Sequence, residues 1–135
     1  MTIEELAVAS HKKGFNCAQS VLCACGQYTG LDEKTALAVS GGFGGGLRCG
    51  EVCGAISGAV MAAGLCFPYS DSENLEAKET IAALARELTG AFREKYGAVR
   101  CEEIKVDTAR CNEFIAFMAE LAGQMVQNRL KATEV

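Results

Sequence analysis

The sequence predicts an all-α fold, a compact single-domain bundle of about five or six helices in which a glycine-rich loop precedes a buried helix of small residues. Three observations carry this expectation. Apolar residues recur at helical spacing along most of the chain, no stretch alternates apolar and polar residues over the length of a strand, and residues that start and stop helices fall at the ends of the periodic stretches. A chain of 135 residues can bury about two thirds of its unfolded surface in one core, so residues 1–135 are read as one domain without internal repeats.

The elements follow in order. Thr2 and Glu5 have the form of a capping box opening a first helix, which Gly14 closes. A second helix is expected from about Asn16 to about Tyr28 with Gly30 after it, and Asp32 caps a third through about Val39. The run Val52 to Phe67 is 16 residues of nearly unbroken apolar character with three glycines and one serine. It is too short for an unaided membrane span and reads as a buried helix. Between residues 73 and 96, Ala77, Ile81, Leu84, Leu88, Phe92 and Tyr96 recur three or four apart, with Gly97 as the stop and Ser70 and Glu73 as a candidate capping box. The last long helix carries Phe114, Phe117, Met118, Leu121 and Met125 on one stripe, and Cys111 heads that face. Short links are expected at 68–72 and 97–110.

Composition narrows the function. A charged fraction of 22%, a net charge of −4 and scattered Lys and Arg residues argue against a nucleic-acid surface. The segment MTIEELAVASHKKG lacks the order of basic, apolar and small-residue segments of a secretory signal, so a cytoplasmic location is expected. In a reducing compartment, eight cysteines point to redox chemistry, metal ligation or core packing before they point to a disulfide framework. The lone His11 is read as a solvated cap beside Lys12 and Lys13. With it set aside, catalysis by a Cys–His pair or a triad is discounted, and Ser57 lacks the glycine-flanked elbow of a hydrolase.

The segment GGFGGGLRCGEVCGAISG, residues 41–58, places six glycines in ten positions directly before Cys53. It matches neither the dinucleotide fingerprint nor the P-loop, because Leu47, Arg48 and Cys49 occupy positions those motifs reserve, and no nucleotide is expected. Two readings stay open for the loop: a tight connection between packed helices, and a thiol site in which Cys53, in the first turn of a helix, feels the positive end of the dipole. Gly54, Gly58 and the neighbouring alanines give residues 54–63 a flat face on which another helix, or another copy of the chain, can pack.

With FNCAQSVL around Cys17, GGFGGG, EVCGAISG around Cys53, and then Cys101 and Cys111, the chain resembles the redox-active proteins named for the C_GCAxxG_C_C pattern. The resemblance runs from about Gly14 to the last helix. It implies a thiol or metal site at Cys17, Cys53, Cys101 and Cys111, without deciding between them.

Cys23, Cys25 and Cys66 read as core residues. Cys17, Cys53 and Cys111 are expected near helix N-termini and Cys101 on the link toward Cys111, so the four thiols can converge, with Cys53 reactive or ligating and the others resolving or co-ligating. Cys49, four residues before Cys53, is a weaker candidate for either chemistry. Two site chemistries compete: a dithiol that exchanges with a redox partner protein, and an iron–sulfur cluster on four thiolates. Zinc is disfavoured because no C-x-x-C pair occurs. A third reading, from another class, is a non-catalytic helical module that assembles through residues 54–63.

Overall fold

The computed structural model describes residues 1–105 and 107–133. The fold is all-α, as expected, with eight α-helices among the described residues: α1 (Ile3–Lys12), α2 (Cys17–Ala24), α3 (Gly26–Thr29), α4 (Glu33–Ser40), α5 (Gly54–Cys66), α6 (Leu75–Tyr96), α7 (Cys101–Ile104) and α8 (Thr108–Thr133). The sequence expectation of five or six is exceeded because α3 and α7 are single turns, too short to show a period. The expected second helix breaks at Cys25, whose backbone leaves the helical region before the chain resumes as α3. Of the expected link at 97–110, α7 occupies part and Val106 lies outside the described residues.

The caps explain the boundaries. Thr2 and Glu5 form the predicted capping box of α1, and Asp32 accepts from the Thr35 amide at 3.0 Å to open α4. Helix α6 starts on Asn74, whose Oδ1 accepts from the Ala77 amide at 3.0 Å, and not on the Ser70 and Glu73 pair that the sequence suggested. Gly30 and Gly97 end their helices in the left-handed conformation that glycine adopts without steric cost.

Helix α5 lies at the centre, packed on α2, α6 and α8. Its Ala55, Ala59, Ala62 and Ala63 are buried, as expected for a helix with almost no polar face. The small-residue face of 54–63 is occupied within the chain. A Cβ on Gly58 would lie 2.6 Å from the Ala18 carbonyl oxygen, so the backbones of α5 and α2 touch there. The expectation that this face serves assembly is corrected on that ground. Around α5, Leu84, Leu88 and Phe92 of α6 meet Phe114, Ile115 and Met118 of α8 in a dry core. Each large side chain fully buried there contributes roughly 1.5–3 kcal/mol. Phe92, Tyr96, Phe114 and Phe117 stack edge to face or tilted, with centroids 4.7 to 5.7 Å apart. Among the described residues, no helix is long and apolar enough to cross a membrane.

Candidate functional site

Cys17 stands at the first position of α2, immediately after an N-cap that the sequence already displays. Asn16 Oδ1 accepts from the Gln19 amide and Gln19 Oε1 accepts from the Asn16 amide, both at 3.0 Å. This reciprocal box fixes the start of the helix and aims its free amides at the Cys17 sulfur. The same Asn16 reaches the glycine-rich segment, donating from Nδ2 to the Gly41 carbonyl at 2.9 Å, while Gln19 Nε2 donates to the Leu37 carbonyl at 3.0 Å. The loop is thereby tied to the mouth of α2.

Glycine is required where the loop closes on this mouth. A Cβ on Gly44 would sit 2.4 Å from the Asn16 Cβ, and one on Gly54 only 2.5 Å from Cys17 Sγ and 2.9 Å from the Phe43 carbonyl oxygen. The chain then makes a tight turn at Gly46–Gly50, closed by the Glu51 amide donating to the Gly46 carbonyl at 2.9 Å. Gly45, Gly46, Leu47 and Arg48 all have φ between 60° and 64°, a run of left-handed backbone containing two residues with side chains. Each such residue costs about 1–2 kcal/mol relative to right-handed backbone.

Cys53 precedes α5 as its N-cap instead of lying within its first turn, and it is buried at 5% exposure. Its amide donates to the Val99 carbonyl at 2.8 Å, and the Cys101 amide donates to the Glu51 carbonyl at 2.7 Å. These two bonds flank an antiparallel bridge between Val52 and Arg100. They hold the segment before α5 against the segment before α7, which brings Cys101 beside Cys53. Arg100 on the bridge pairs with Glu51, Glu102 and Glu103. Cys111 lies in the first turn of α8, whose start Asp107 caps by accepting from the Arg110 amide at 2.8 Å.

The sulfurs of Cys17 and Cys53 are hydrogen-bonded to each other. That bond, followed by the amides of Gly45, Ala18 and Cys17, pulls the Cys17 thiol down to about 6 against the opposing effect of burial. Cys53, the donor of the pair, is pushed up by the same bond and by burial. Cys101 and Cys111 are raised chiefly by burial, with the Lys105 ammonium working the other way, and both respond to charge on Cys17. Charge on Cys17 thus acts on Cys53, Cys101 and Cys111, with Cys53 its hydrogen-bonding partner. All eight cysteines are free thiols.

The other cysteines separate from this group. Cys25 is buried and held up at about 12, mainly by burial, while Cys23 and Cys66 are half-buried and raised for the same reason. Cys49 is exposed on the tight turn, its sulfur 3.6 Å from the Gly46 carbonyl oxygen. His11 departs from its expected solvated role. It is half-buried, and its Nδ1 lies 2.6 Å from Asn112 Oδ1, joining α1 to α8 next to Cys111. Among the described residues, no three Cys, His, Asp or Glu side chains are arranged to hold a metal ion.

Sequence reasoning missed two participants. The Gly45 amide, which helps to lower the Cys17 thiol, carries no side-chain signal. The Asn16-to-Gln19 capping box was visible as a polar residue followed three positions later by glutamine, and marks Cys17 as a first-turn residue.

The pattern of these cysteines and glycines matches a known family model, described as "Putative redox-active protein (C_GCAxxG_C_C)", over residues 15–125. No curated protein matches the chain significantly, and neither does any solved structure. The match covers most of the chain, from the residue before the Asn16 cap to Met125 of the last helix, and so the chain belongs to the C_GCAxxG_C_C family.

Proposed function

We propose that the chain is a thiol–disulfide exchange protein in which Cys17 attacks and Cys53 resolves. The observation that carries this reading is the pairing of the two sulfurs at the mouth of α2, where the Cys53 thiol and the amides of Gly45, Ala18 and Cys17 all favour the ionised form of Cys17. A thiolate is the attacking species in exchange, and one with a pKa near ambient pH combines ionisation with nucleophilicity. The roles differ from the sequence expectation, which gave Cys53 the reactive part. The amides of Gly45, Ala18 and Cys17 all lower Cys17, whereas Cys53, one position ahead of its helix, has only the Ala55 amide against the stronger raising effects of Cys17 and burial.

The reaction balances in two steps. The Cys17 thiolate attacks one sulfur of a disulfide in a redox partner protein, breaking that bond and releasing one partner thiolate. Cys53 then attacks Cys17 in the mixed disulfide, its proton passing to the departing second partner thiolate. Two electrons leave the Cys17 and Cys53 dithiol and reduce the partner. Cys101 and Cys111 stand in electrostatic reach as the next thiols along a relay. The second reading is an iron–sulfur cluster, for which four thiolates are the usual ligand set. It would require Cys17, Cys53, Cys101 and Cys111 to draw closer, because no three such side chains among the described residues are grouped to hold a metal.

Anaerobic purification followed by oxidation with diamide tests both. The expected result is colourless protein with a Cys17–Cys53 crosslink, mapped by peptide mass and reversed by dithiothreitol. A Cys53→Ser variant should accumulate the mixed disulfide on Cys17. Stoichiometric iron and acid-labile sulfide with visible absorbance would replace the exchange reading by the cluster. A crosslink joining another pair of cysteines would overturn the assignment of residues.

A further inference from the structure

We propose that Arg100 is a positioning residue of the exchange site: its guanidinium draws Glu51 of one segment and Glu102 and Glu103 of another to a single cation, and so holds Cys53 in place for the resolving step. The inference rests on the exchange reading above and assigns what fixes the second thiol of that reaction.

Cys53 stands outside α5, so its place is set by the pairing of residues 51–53 with residues 99–101. Val52 and Arg100 are a non-hydrogen-bonded pair, the kind in which opposite residues approach most closely. On either side of them lie the bonds from the Cys53 amide to Val99 and from the Cys101 amide to Glu51. Alternation along extended backbone puts Val52 and Arg100 on one face of this join and Cys53 and Cys101 on the other. Two hydrogen bonds make a short ladder, and even longer two-stranded pairings are marginal in water. Arg100 completes the join from the face opposite the thiols.

Its Nε lies 3.4 Å from Glu51 Oε2 and its Nη1 3.8 Å from Glu103 Oε1, while its Nη2 meets Glu102 Oε1. The Nε is buried and makes no hydrogen bond among the described residues, so the charge of Glu51 is what compensates its lost hydration. Isolated pairs with side chains 41% to 52% exposed contribute little. Here three carboxylates face one cation, and without it they repel one another across the join. Loss of Arg100 therefore turns an attraction between the two segments into a repulsion. The turn before Glu51 rests on the same network, since a Cβ on Gly50 would come 2.8 Å from Glu102 Oε2. A slip of the segment reaches the thiols directly, because a Cβ on Gly54 would meet Cys17 Sγ at 2.5 Å.

The experiment follows the resolving step itself. Each protein is treated with hydroxyethyl disulfide, a neutral reagent, and quenched in acid at intervals. Peptide mass then gives the mixed disulfide on Cys17 and the Cys17–Cys53 bond, whose ratio reports resolution independently of the first attack. Arg100→Met, which keeps the apolar stem, is expected to slow resolution roughly three- to tenfold, the range of a small ion-pair network. Salt at about 1 M, where the screening length is about 3 Å, should slow the parent chain and speed Arg100→Met. A side chain that merely packs gives no such reversal. Adding Glu51→Gln to Arg100→Met should return part of the lost rate, because one of the repelling charges is gone. Arg129→Met breaks the comparably exposed pair with Glu87 and should resolve at the parental rate. Three results overturn the positioning role and leave the exchange reading standing: parental resolution in Arg100→Met, a loss there that neither salt nor Glu51→Gln reverses, or equal slowing in Arg129→Met. Failure of the parent chain to form the Cys17–Cys53 bond overturns the exchange reading and the role of Arg100 with it.

Discussion

The Cys17 sulfur concentrates the electrostatics of the site. Its acidity comes first from the hydrogen bond of Cys53 and then from backbone amides, so removing the Cys53 sulfur should act more strongly than any change in surface charge. Alkylation by iodoacetamide, followed against pH, is expected to show a fast thiol at Cys17 with a midpoint at about 6. In Cys53→Ala the midpoint should move upward, and an unchanged midpoint would mean that the amides alone set the acidity. Gly54 is the other sensitive position. A Cβ there would stand 2.5 Å from Cys17 Sγ and 2.9 Å from the Phe43 carbonyl oxygen. Gly54→Ala should lower stability by about 1–3 kcal/mol, as overpacking does, and slow formation of the Cys17–Cys53 bond. Urea unfolding and oxidation kinetics on the same variant measure the two effects.

Each helix that presents a thiol to the site is placed by a polar device outside its own hydrophobic stripe. Helix α2 depends on Asn16, which caps it and tethers Gly41. Asn16→Ala should cost about 1 kcal/mol through the cap, and hydrogen exchange should show lost protection in the loop at 41–45 as well as at the start of α2. Confinement of the loss to α2 would show that the tether to Gly41 does not hold the loop. The turn at 46–50 makes the opposite prediction. Arg48→Gly removes a side chain from left-handed backbone and should raise stability by about 1 kcal/mol in urea unfolding. A decrease would mean that the Arg48 side chain itself contributes a contact worth more than the strain.

At the scale of the whole molecule, the thiol pair makes stability depend on pH with a defined sign. Cys17 titrates at about 6 when folded, against an ordinary thiol value of 9.0. Between these values the unfolded chain holds a proton that the folded chain has released, so stability rises with pH across that window. As pH falls through about 6, Cys17 is protonated and its contribution is lost. Above the ordinary thiol value the sign reverses, because Cys53 is raised and keeps its proton in the folded state while the unfolded chain ionises. Reduced protein should therefore show a urea midpoint that climbs from pH 6 toward pH 9. The slope should vanish in Cys17→Ser. A midpoint independent of pH in the parent chain would contradict the depressed acidity of Cys17.

The sequence by itself determined the helical class, the caps at Thr2 and Asp32, the stops at Gly30 and Gly97, and the burial of α5, because each rests on residues close together in the chain. Periodicity and capping are local, and so they are legible. Only the tertiary structure decided that Cys17 and Cys53 touch, since their meeting depends on Gly54 and Gly58 letting α5 reach the backbone of α2. It also decided that Cys101 joins them, through two backbone hydrogen bonds between residues 51–53 and 99–101 that no side chain announces. The proposed exchange of roles between Cys53 and Cys17 has the same origin. Helix α5 begins only at Gly54, so Cys53 is its N-cap with the Ala55 amide as its one helix amide, and Cys17 gains the amide of Gly45 from a distant part of the chain.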